Sequence, residues 1–141
     1  GGEKSFSVAS IMLGGTKQEA YMTLKRGDPS ITMSVTPEQY RKQYTFLAPT
    51  TYLQNYADIV LPTGATVTLD GQPLTGTPEP IGSSTWSLVR EPLGPGQDGA
   101  HRLEASAKVG LQVLGFGSAT SYCYPGGLDL KPISDAPTIV K

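Results

Sequence analysis

The stretch from Ala57 to Leu74, ADIVLPTGATVTLDGQPL, decides the fold class of this chain. Val67 and Leu69 alternate with threonines, which is the period-two pattern of a strand with one buried face. Asp70-Gly71 follows directly, and a type I′ turn needs the two positive φ angles that these residue types tolerate. A Pro-Thr-Gly turn precedes the alternation. The stretch therefore predicts a small antiparallel β unit.

Similar alternation recurs along the chain between turns rich in glycine and proline. The other predicted strands are Phe6–Leu13, Ile31–Val35, Thr45–Leu47, Thr85–Arg90, Ala100–Ala105, Val109–Phe116 and Ala119–Tyr124. One short helix is predicted from Thr36 to about Tyr44. Thr36 can cap it, the proline after it suits a first helical turn, and Gln39 completes a capping box. This pattern predicts an all-β fold, an antiparallel β-sandwich or jelly roll with one short helix.

The length and charge of the chain indicate one domain without a nucleic-acid or membrane partner. For 141 residues we expect a single β-sandwich domain over 3–130 and an extended tail or linker over 131–141. Eleven basic and twelve acidic residues give a net charge of −1, so the clustered basic face of a nucleic-acid-binding protein is not predicted. No apolar run approaches the ~18 residues of a membrane span, so membrane insertion is not predicted either.

Few residues offer catalytic or metal-binding chemistry. His101 is the only histidine and Cys123 the only cysteine, so a zinc site lacks its usual ligand set. No serine lies in the Gly-x-Ser-x-Gly turn of a hydrolase. We therefore expect no cofactor, no metal and no catalytic residue, with His101 hydrogen-bonded within the fold and Cys123 buried. A hydrolase or metal-dependent enzyme that uses His101 is the least favoured hypothesis.

Three aromatic residues are the candidate ligand-binding residues. Tyr122 and Tyr124 share one face of a predicted strand, and Trp86 belongs to another strand that we expect nearby. Exposed aromatic rings stack on sugar rings and mark protein interfaces. Core packing is the other outcome open to each ring, because aromatic residues of strands are often buried.

Motifs across most of the chain carry a resemblance to a known family. They are Gly27-Asp28-Pro29, Pro37–Arg41, Tyr44–Pro49, Tyr52, Gly64–Gly71, Gly99, His101–Leu103, Gly110–Val113, Gly115-Phe116 and Ser121–Gly127. With these motifs, from about Phe6 to Leu130, the chain resembles the IgGFc-binding protein N-terminal domain family. The motifs are mostly turns and core strands, so the resemblance implies a fold more directly than an activity.

The resemblance implies a non-enzymatic extracellular module. Members of the family occur in a mucus-associated IgG Fc-binding protein of animals and in surface and secreted proteins of bacteria, notably myxobacteria and their relatives. No residue of this chain matches an Fc-contacting motif. We therefore expect a module of a larger bacterial cell-surface or secreted protein. Its expected partners are a protein or glycan at a cell surface and other domains of the same parent chain.

Two hypotheses of function remain in front. The first is an adhesion or protein-interaction module that binds through loops at one end of the sandwich or by strand addition at a sheet edge. The alternative is a carbohydrate-binding module that uses Trp86, Tyr122 and Tyr124. That alternative is favoured if the three rings form one flat exposed row.

Overall fold

The computed structural model of the chain describes residues 7–13, 27–93 and 99–130. Within these residues the chain forms ten strands and one short 3₁₀ helix. The strands are β1 Ala9–Met12, β2 Ser30–Met33, β3 Arg41–Ala48, β4 Gln54–Pro62, β5 Val67–Leu69, β6 Gln72–Pro73, β7 Glu79–Pro80, β8 Trp86–Pro92, β9 Gly99–Gly117 and β10 Thr120–Pro125. Their pairing is antiparallel, which confirms the predicted all-β fold class. The predicted tail over 131–141 lies outside the described residues.

One long strand, β9, belongs to both main sheets. Its first part pairs with β3 and β5, and Leu103 there lies opposite Tyr44 and Leu69. Its second part pairs with β4 and β10, and Val113 there lies opposite Ala57. Strand β6 extends the first sheet beyond β5, while β8 and β7 extend the second sheet beyond β4. The two sheets therefore share β9 and curl around one core.

The core forms on the inner faces of these two sheets. On β4, Ala57, Ile59 and Leu61 are buried, and the residues between them are partly exposed. This alternation follows from the pleat, which sends successive side chains to opposite faces. The largest fully buried side chains are Ile59, Val89, Leu93, Leu103, Val109 and Val113. Burying one such side chain stabilises the fold by roughly 1.5–3 kcal/mol, so this cluster is the main source of stability.

The structure has one continuous strand where the sequence predicted two. β9 runs over Gly99–Gly117, whereas the prediction had a break at residues 106–108. The break coincides with an irregularity, because the ladder with β3 skips residues of β9 between Glu104 and Val109. Extra residues on one strand increase its local twist. The prediction of two separate strands was therefore wrong, and its break marks the bend where β9 passes from the first sheet to the second.

The predicted helix is present but much shorter than expected. It covers only Pro37–Gln39 and does not reach Tyr44, because β3 already begins at Arg41. Thr36 makes no side-chain capping hydrogen bond. Pairing with β9 buries Tyr44, Phe46 and Ala48 of β3, and this burial outweighs a weak helix propensity. No helix in the described ranges is long and apolar enough to cross a membrane.

The hairpin predicted at Asp70-Gly71 is confirmed. The φ angle is 51° at Asp70 and 78° at Gly71, as a type I′ turn requires. The turn joins β5 to β6, with Leu69 opposite Gln72. It is also fastened to β9, because the Asp70 N–H donates to the Arg102 carbonyl oxygen and the Arg102 N–H donates to Asp70 Oδ1, both at 2.8 Å.

Strands β1 and β2 form a separate two-stranded ribbon beside the outer face of the second sheet, the face away from the core. The start of β2 is anchored on the turn between β9 and β10. The Gly27 N–H donates to the Gly117 carbonyl oxygen at 3.0 Å, and the Asp28 N–H donates to Ser121 Oγ at 2.9 Å. Gly27 has a φ of 79°, and an added Cβ would lie 2.9 Å from Ser121 Oγ. The Gly-Asp-Pro motif therefore holds one end of the ribbon in place.

Candidate functional site

The three predicted ligand-binding residues lie on two different faces of the second sheet. Directly paired residues of neighbouring strands share a face. Trp86 pairs with Pro62 of β4, whereas Tyr124 pairs with Val113, which in turn pairs with Ala57 of β4. Pro62 and Ala57 are an odd number of positions apart, so they point to opposite faces. Trp86 is therefore on the outer face, and the tyrosine pair is on the inner face.

Tyr122 and Tyr124 pack against the core. Their rings stack with centroids 5.9 Å apart and planes 27° apart. The Tyr122 hydroxyl donates to Asn55 Oδ1 at 2.7 Å, and the Tyr124 hydroxyl donates to the Leu47 carbonyl oxygen while accepting from the Leu47 N–H. Burial raises the pKa of the Tyr124 hydroxyl. These bonds join β10 to β3 and β4, so both hydroxyl groups already take part in hydrogen bonds within the fold.

Trp86 is half-buried and rests on another aromatic ring. Its ring meets that of Tyr40 edge to face, with centroids 5.7 Å apart and planes 82° apart. Tyr40 is buried over Gly110, where an added Cβ would lie 2.4 Å from the ring. Glycine at this position therefore makes room for the ring that supports Trp86. The three predicted rings do not form one row, and ligand binding by any of them stays a prediction.

His101 is buried beside the Asp70-Gly71 turn. Its Nδ1 lies 2.7 Å from Asp70 Oδ2, and its ring stacks on Phe46 with centroids 5.2 Å apart. Burial alone would raise the pKa of Asp70, but the hydrogen bonds from Arg102 and His101 and the charge of His101 outweigh it and lower that pKa. His101 therefore holds the turn against β9, which is the hydrogen-bonded placement expected from the sequence.

A groove runs between the ribbon and the outer face of the second sheet, and we call it the ribbon groove. It consists of two adjoining cavities of about 200 and 290 Å³. Both cavities are lined by Ser10 of the ribbon and by Asp58 and Gln112 of the sheet. Tyr40 lines one cavity, and Phe116 lines the other. The groove thus has a polar centre with an aromatic ring towards each end.

An ion pair lies in the floor of the ribbon groove. Arg90 donates to both carboxylate oxygens of Asp58, from Nε to Oδ1 at 2.8 Å and from Nη2 to Oδ2 at 2.7 Å. These hydrogen bonds raise the pKa of Arg90, although burial opposes the rise. The guanidinium carbon of Arg90 also lies 5.9 Å from the centroid of the Tyr56 ring. The pair keeps the floor polar while leaving it close to neutral.

Sequence reasoning missed the residues of the ribbon groove. Asp58 alternates with buried apolar residues of β4, so its outward direction was readable from the pattern. Its pairing with Arg90 was not readable, because the two residues belong to different strands whose register is set by the folded sheet. Gln112 belongs to a predicted strand that was interpreted as apolar on both faces, so the sequence did not indicate that its side chain lines a groove.

Cys123 lies beside the ribbon groove and is half-buried, whereas the sequence predicted burial. Burial raises the pKa of its thiol, so the thiol stays protonated near neutral pH and is a weak nucleophile. Among the described residues, no three His, Cys, Asp or Glu side chains lie close enough together to hold a metal ion.

The ribbon turns an apolar face to solvent. The exposed fractions are 64% for Ile11, 83% for Leu13, 67% for Ile31 and 53% for Met33. Ile11 and Ile31 are directly paired across β1 and β2, so the four side chains form one surface, which we call the apolar ribbon face. Contiguous exposed apolar surface on a small domain is typical of interaction sites.

Comparison with known proteins shows the family of the chain. The family described as IgGFc binding protein matches residues 2–115. This match includes β1 to β8 and nearly all of β9, and it ends before the Ser121–Gly127 motif. No curated protein and no solved structure matches the chain. Since the match covers most of the sequence, the chain belongs to the IgGFc-binding protein family, whose description names protein binding as the activity.

Proposed function

We propose that the chain is a non-enzymatic, extracellular interaction or adhesion module of a larger bacterial cell-surface or secreted protein. Membership of a family described by IgG Fc binding supports a protein partner. The low share of charged residues, 16%, and the many glycines and prolines suit a turn-rich extracellular β domain.

The apolar ribbon face is the observation that carries this proposal. Ile11 and Ile31 present branched apolar side chains to solvent, and Leu13 and Met33 extend the surface on either side. The centres of protein interfaces are apolar and poor in charged residues, as this face is. The partner that fits is a protein with an apolar patch of its own, since burial of both patches would drive association.

A cell-adhesion assay tests the proposal. Beads that carry the chain are counted on bacterial cells before and after proteolysis of the cell surface. We expect saturable adhesion that is lost after proteolysis and falls at least about tenfold in the double variant Ile11→Ser, Ile31→Ser, which is roughly 1.4 kcal/mol. Leu53→Ser is the matched control, because Leu53 is 62% exposed but lies outside the ribbon.

Adhesion that survives both proteolysis and the double variant would contradict the proposal, as would the absence of saturable adhesion. A parallel titration with purified IgG Fc measures whether the partner in the family description binds to the same face. The free energy of unfolding of the double variant is measured as well, since exposed positions should change it little.

The carbohydrate-binding alternative that uses Trp86, Tyr122 and Tyr124 stays a prediction. The placement of these rings on opposite faces of one sheet gives it little support as a single platform. A neutral-glycan titration in which Trp86→Ala and Tyr124→Ala each abolish binding would favour it over the protein-binding role.

A further inference from the structure

We propose that the ribbon groove binds a neutral monosaccharide unit between the ribbon and the second sheet. The proposal does not rest on the protein-binding role, because it is argued from the polar centre of the groove, although Ile11, Leu13 and Met33 of the apolar ribbon face also line its cavities. It also uses none of the three aromatic residues that the sequence singled out. The variants that test the groove, Gln112→Leu and Ser10→Ala, leave the apolar ribbon face unchanged, so the two proposals can succeed or fail separately.

The size of the ribbon groove suits a small ligand. Its two cavities, of about 200 and 290 Å³, share Ser10, Asp58 and Gln112 and so form one elongated space. Pockets for small ligands occupy about 300–1,000 Å³, so each cavity alone is below that range and only the two together reach its lower end. The groove therefore fits one or two sugar rings better than a folded protein surface.

Hydrogen-bonding groups at the centre of the groove are available to a ligand. Gln112 is half-buried and lies directly opposite Asp58 in the sheet. Within the part of the chain that the structure describes, no hydrogen bond joins the Gln112 amide to another residue. A side-chain amide offers two donor hydrogens and an acceptor oxygen, so it can bind two neighbouring hydroxyl groups. Ser10 adds a hydroxyl group from the ribbon side; its Oγ lies 3.2 Å from Ser34 Oγ, and this one bond leaves it further hydrogen-bonding capacity.

Apolar side chains border these polar groups. Leu114 and Phe116 line one cavity, and Val60 and Tyr40 line the other. A sugar ring has hydroxyl groups at its edge and C–H groups on its faces, so it needs this mixture of polar and apolar contacts. Ligand sites in general combine apolar walls with a few placed polar groups.

The charge of the groove favours a neutral ligand. Asp58 and Arg90 are the charged side chains among the described residues that line it, and they are paired in a two-point contact. An anionic ligand would have to compete with the Asp58 carboxylate for Arg90, and a cation would have to displace Arg90. A neutral polyhydroxylated ligand bonds to the outer atoms of the pair and leaves the pair intact.

Saturation-transfer NMR on the purified chain tests the proposal with glucose, galactose, mannose, N-acetylglucosamine and, as the anionic probe, sialic acid. We expect transfer to at least one neutral sugar and none to sialic acid. In Gln112→Leu the affinity should fall at least tenfold, and Ser10→Ala should weaken it as well. Gln43→Leu is the matched control, because Gln43 is an exposed glutamine on β3 outside the groove.

The thermal unfolding of each variant, followed by the fluorescence of the single tryptophan, Trp86, shows whether it is folded. Ser10→Ala keeps the test decisive if Gln112→Leu fails to fold, because Ser10 belongs to the ribbon. Transfer to none of the neutral sugars would overturn the proposal. Equal affinity in Gln112→Leu, or stronger binding of sialic acid than of any neutral sugar, would overturn it too.

Neutral sugar units occur both in polysaccharides and on glycoproteins. Binding to a neutral polysaccharide and to a glycoprotein is therefore compared before and after enzymatic removal of the glycans. Loss of glycoprotein binding after deglycosylation, together with its sensitivity to Gln112→Leu, identifies a protein-borne glycan. Binding to the polysaccharide alone identifies a free one. Binding to the deglycosylated protein that is weakened by Gln112→Leu would assign the groove to peptide and overturn the proposal.

Discussion

The buried carboxylate of Glu91 is held by the segment that follows β6. Its two oxygens accept hydrogen bonds from the Thr75 N–H, from Thr75 Oγ1 at 2.8 Å and from the Gly76 N–H at 2.7 Å. An added Cβ at Gly76 would lie 2.6 Å from the Arg90 carbonyl oxygen, so only glycine allows this close approach. Glu91 thereby fastens an irregular segment to the edge of the core. Hydrogen bonds replace the hydration that a buried charge loses.

Replacement of this carboxylate should be costly. Glu91→Leu removes both acceptor oxygens, so the Thr75 and Gly76 N–H groups lose their hydrogen-bond partner. We expect the free energy of unfolding to fall by about 2 kcal/mol. Urea denaturation measures it, with Glu79→Leu as the control, because Glu79 is exposed on β7. An equal loss of stability in the two variants would show that the hydrogen bonds to Glu91 do not hold this segment in place.

At the scale of the element, the conformation of the β5–β6 hairpin depends on adjacent residues, whereas its attachment to β9 depends on residues distant in the sequence. The Asp-Gly turn chemistry needs only two adjacent residues, and it was readable from the sequence. The bonds from Asp70 to Arg102 and His101 depend instead on β5 lying beside β9. The same aspartate thus forms the turn and fastens it to the neighbouring strand.

The hairpin should contribute a pH-dependent part of stability. The pKa of Asp70 is lowered in the folded protein, so the folded state binds fewer protons there than the unfolded state. Its contribution is present above the ordinary aspartate pKa of about 3.9 and is lost as the pH falls through the lowered value. Because the Asp70 side chain is 49% exposed, solvent screening keeps the effect below about 1 kcal/mol.

Urea denaturation at pH values of about 5 and 2.5 measures this contribution. The loss of stability between the two pH values should be smaller in Asp70→Asn than in the unchanged protein. Asparagine is the suitable replacement, since it tolerates the positive φ of 51° at this position and cannot ionise. Identical losses in the two proteins would show that Asp70 does not contribute.

At the scale of the whole molecule, β9 makes the two main sheets one folding unit. Leu103 belongs to its first part and Val113 to its second, and both are fully buried in the same core cluster. A strand shared by two sheets cannot leave one of them without disturbing the other. We therefore expect residues 3–130 to unfold as one cooperative domain.

Leu103→Ala tests this cooperativity. The cavity should lower the free energy of unfolding by about 2–5 kcal/mol. Leu103 lies in the first sheet, whereas Trp86 reports on the second. The tryptophan fluorescence and the circular dichroism of the variant should therefore shift together to the same lower urea midpoint. A fluorescence midpoint that stays unchanged while the dichroism shifts would show that the sheets unfold separately.

The sequence by itself determined the fold class, most strands and the Asp70-Gly71 hairpin. These features depend on residues close together in the chain, through alternation with period two and the φ preferences of Gly and Asp. The short helix was overestimated for the converse reason. Its capping pattern involves only neighbouring residues. Tyr44 is in a strand instead of the helix because β3 pairs with β9, which is distant in the sequence.

Only the tertiary structure decided how the candidate sites are assembled. Trp86 and Tyr124 belong to one sheet, yet the strand register places them on opposite faces. The ion pair of Asp58 and Arg90 and the position of Gln112 likewise follow from which strands lie side by side. The direction of a side chain depends on its position within its own strand. Which strands lie side by side depends instead on how the whole chain buries a common core. For that reason the sequence could indicate a binding module, while the surfaces that could bind became visible only in the folded chain.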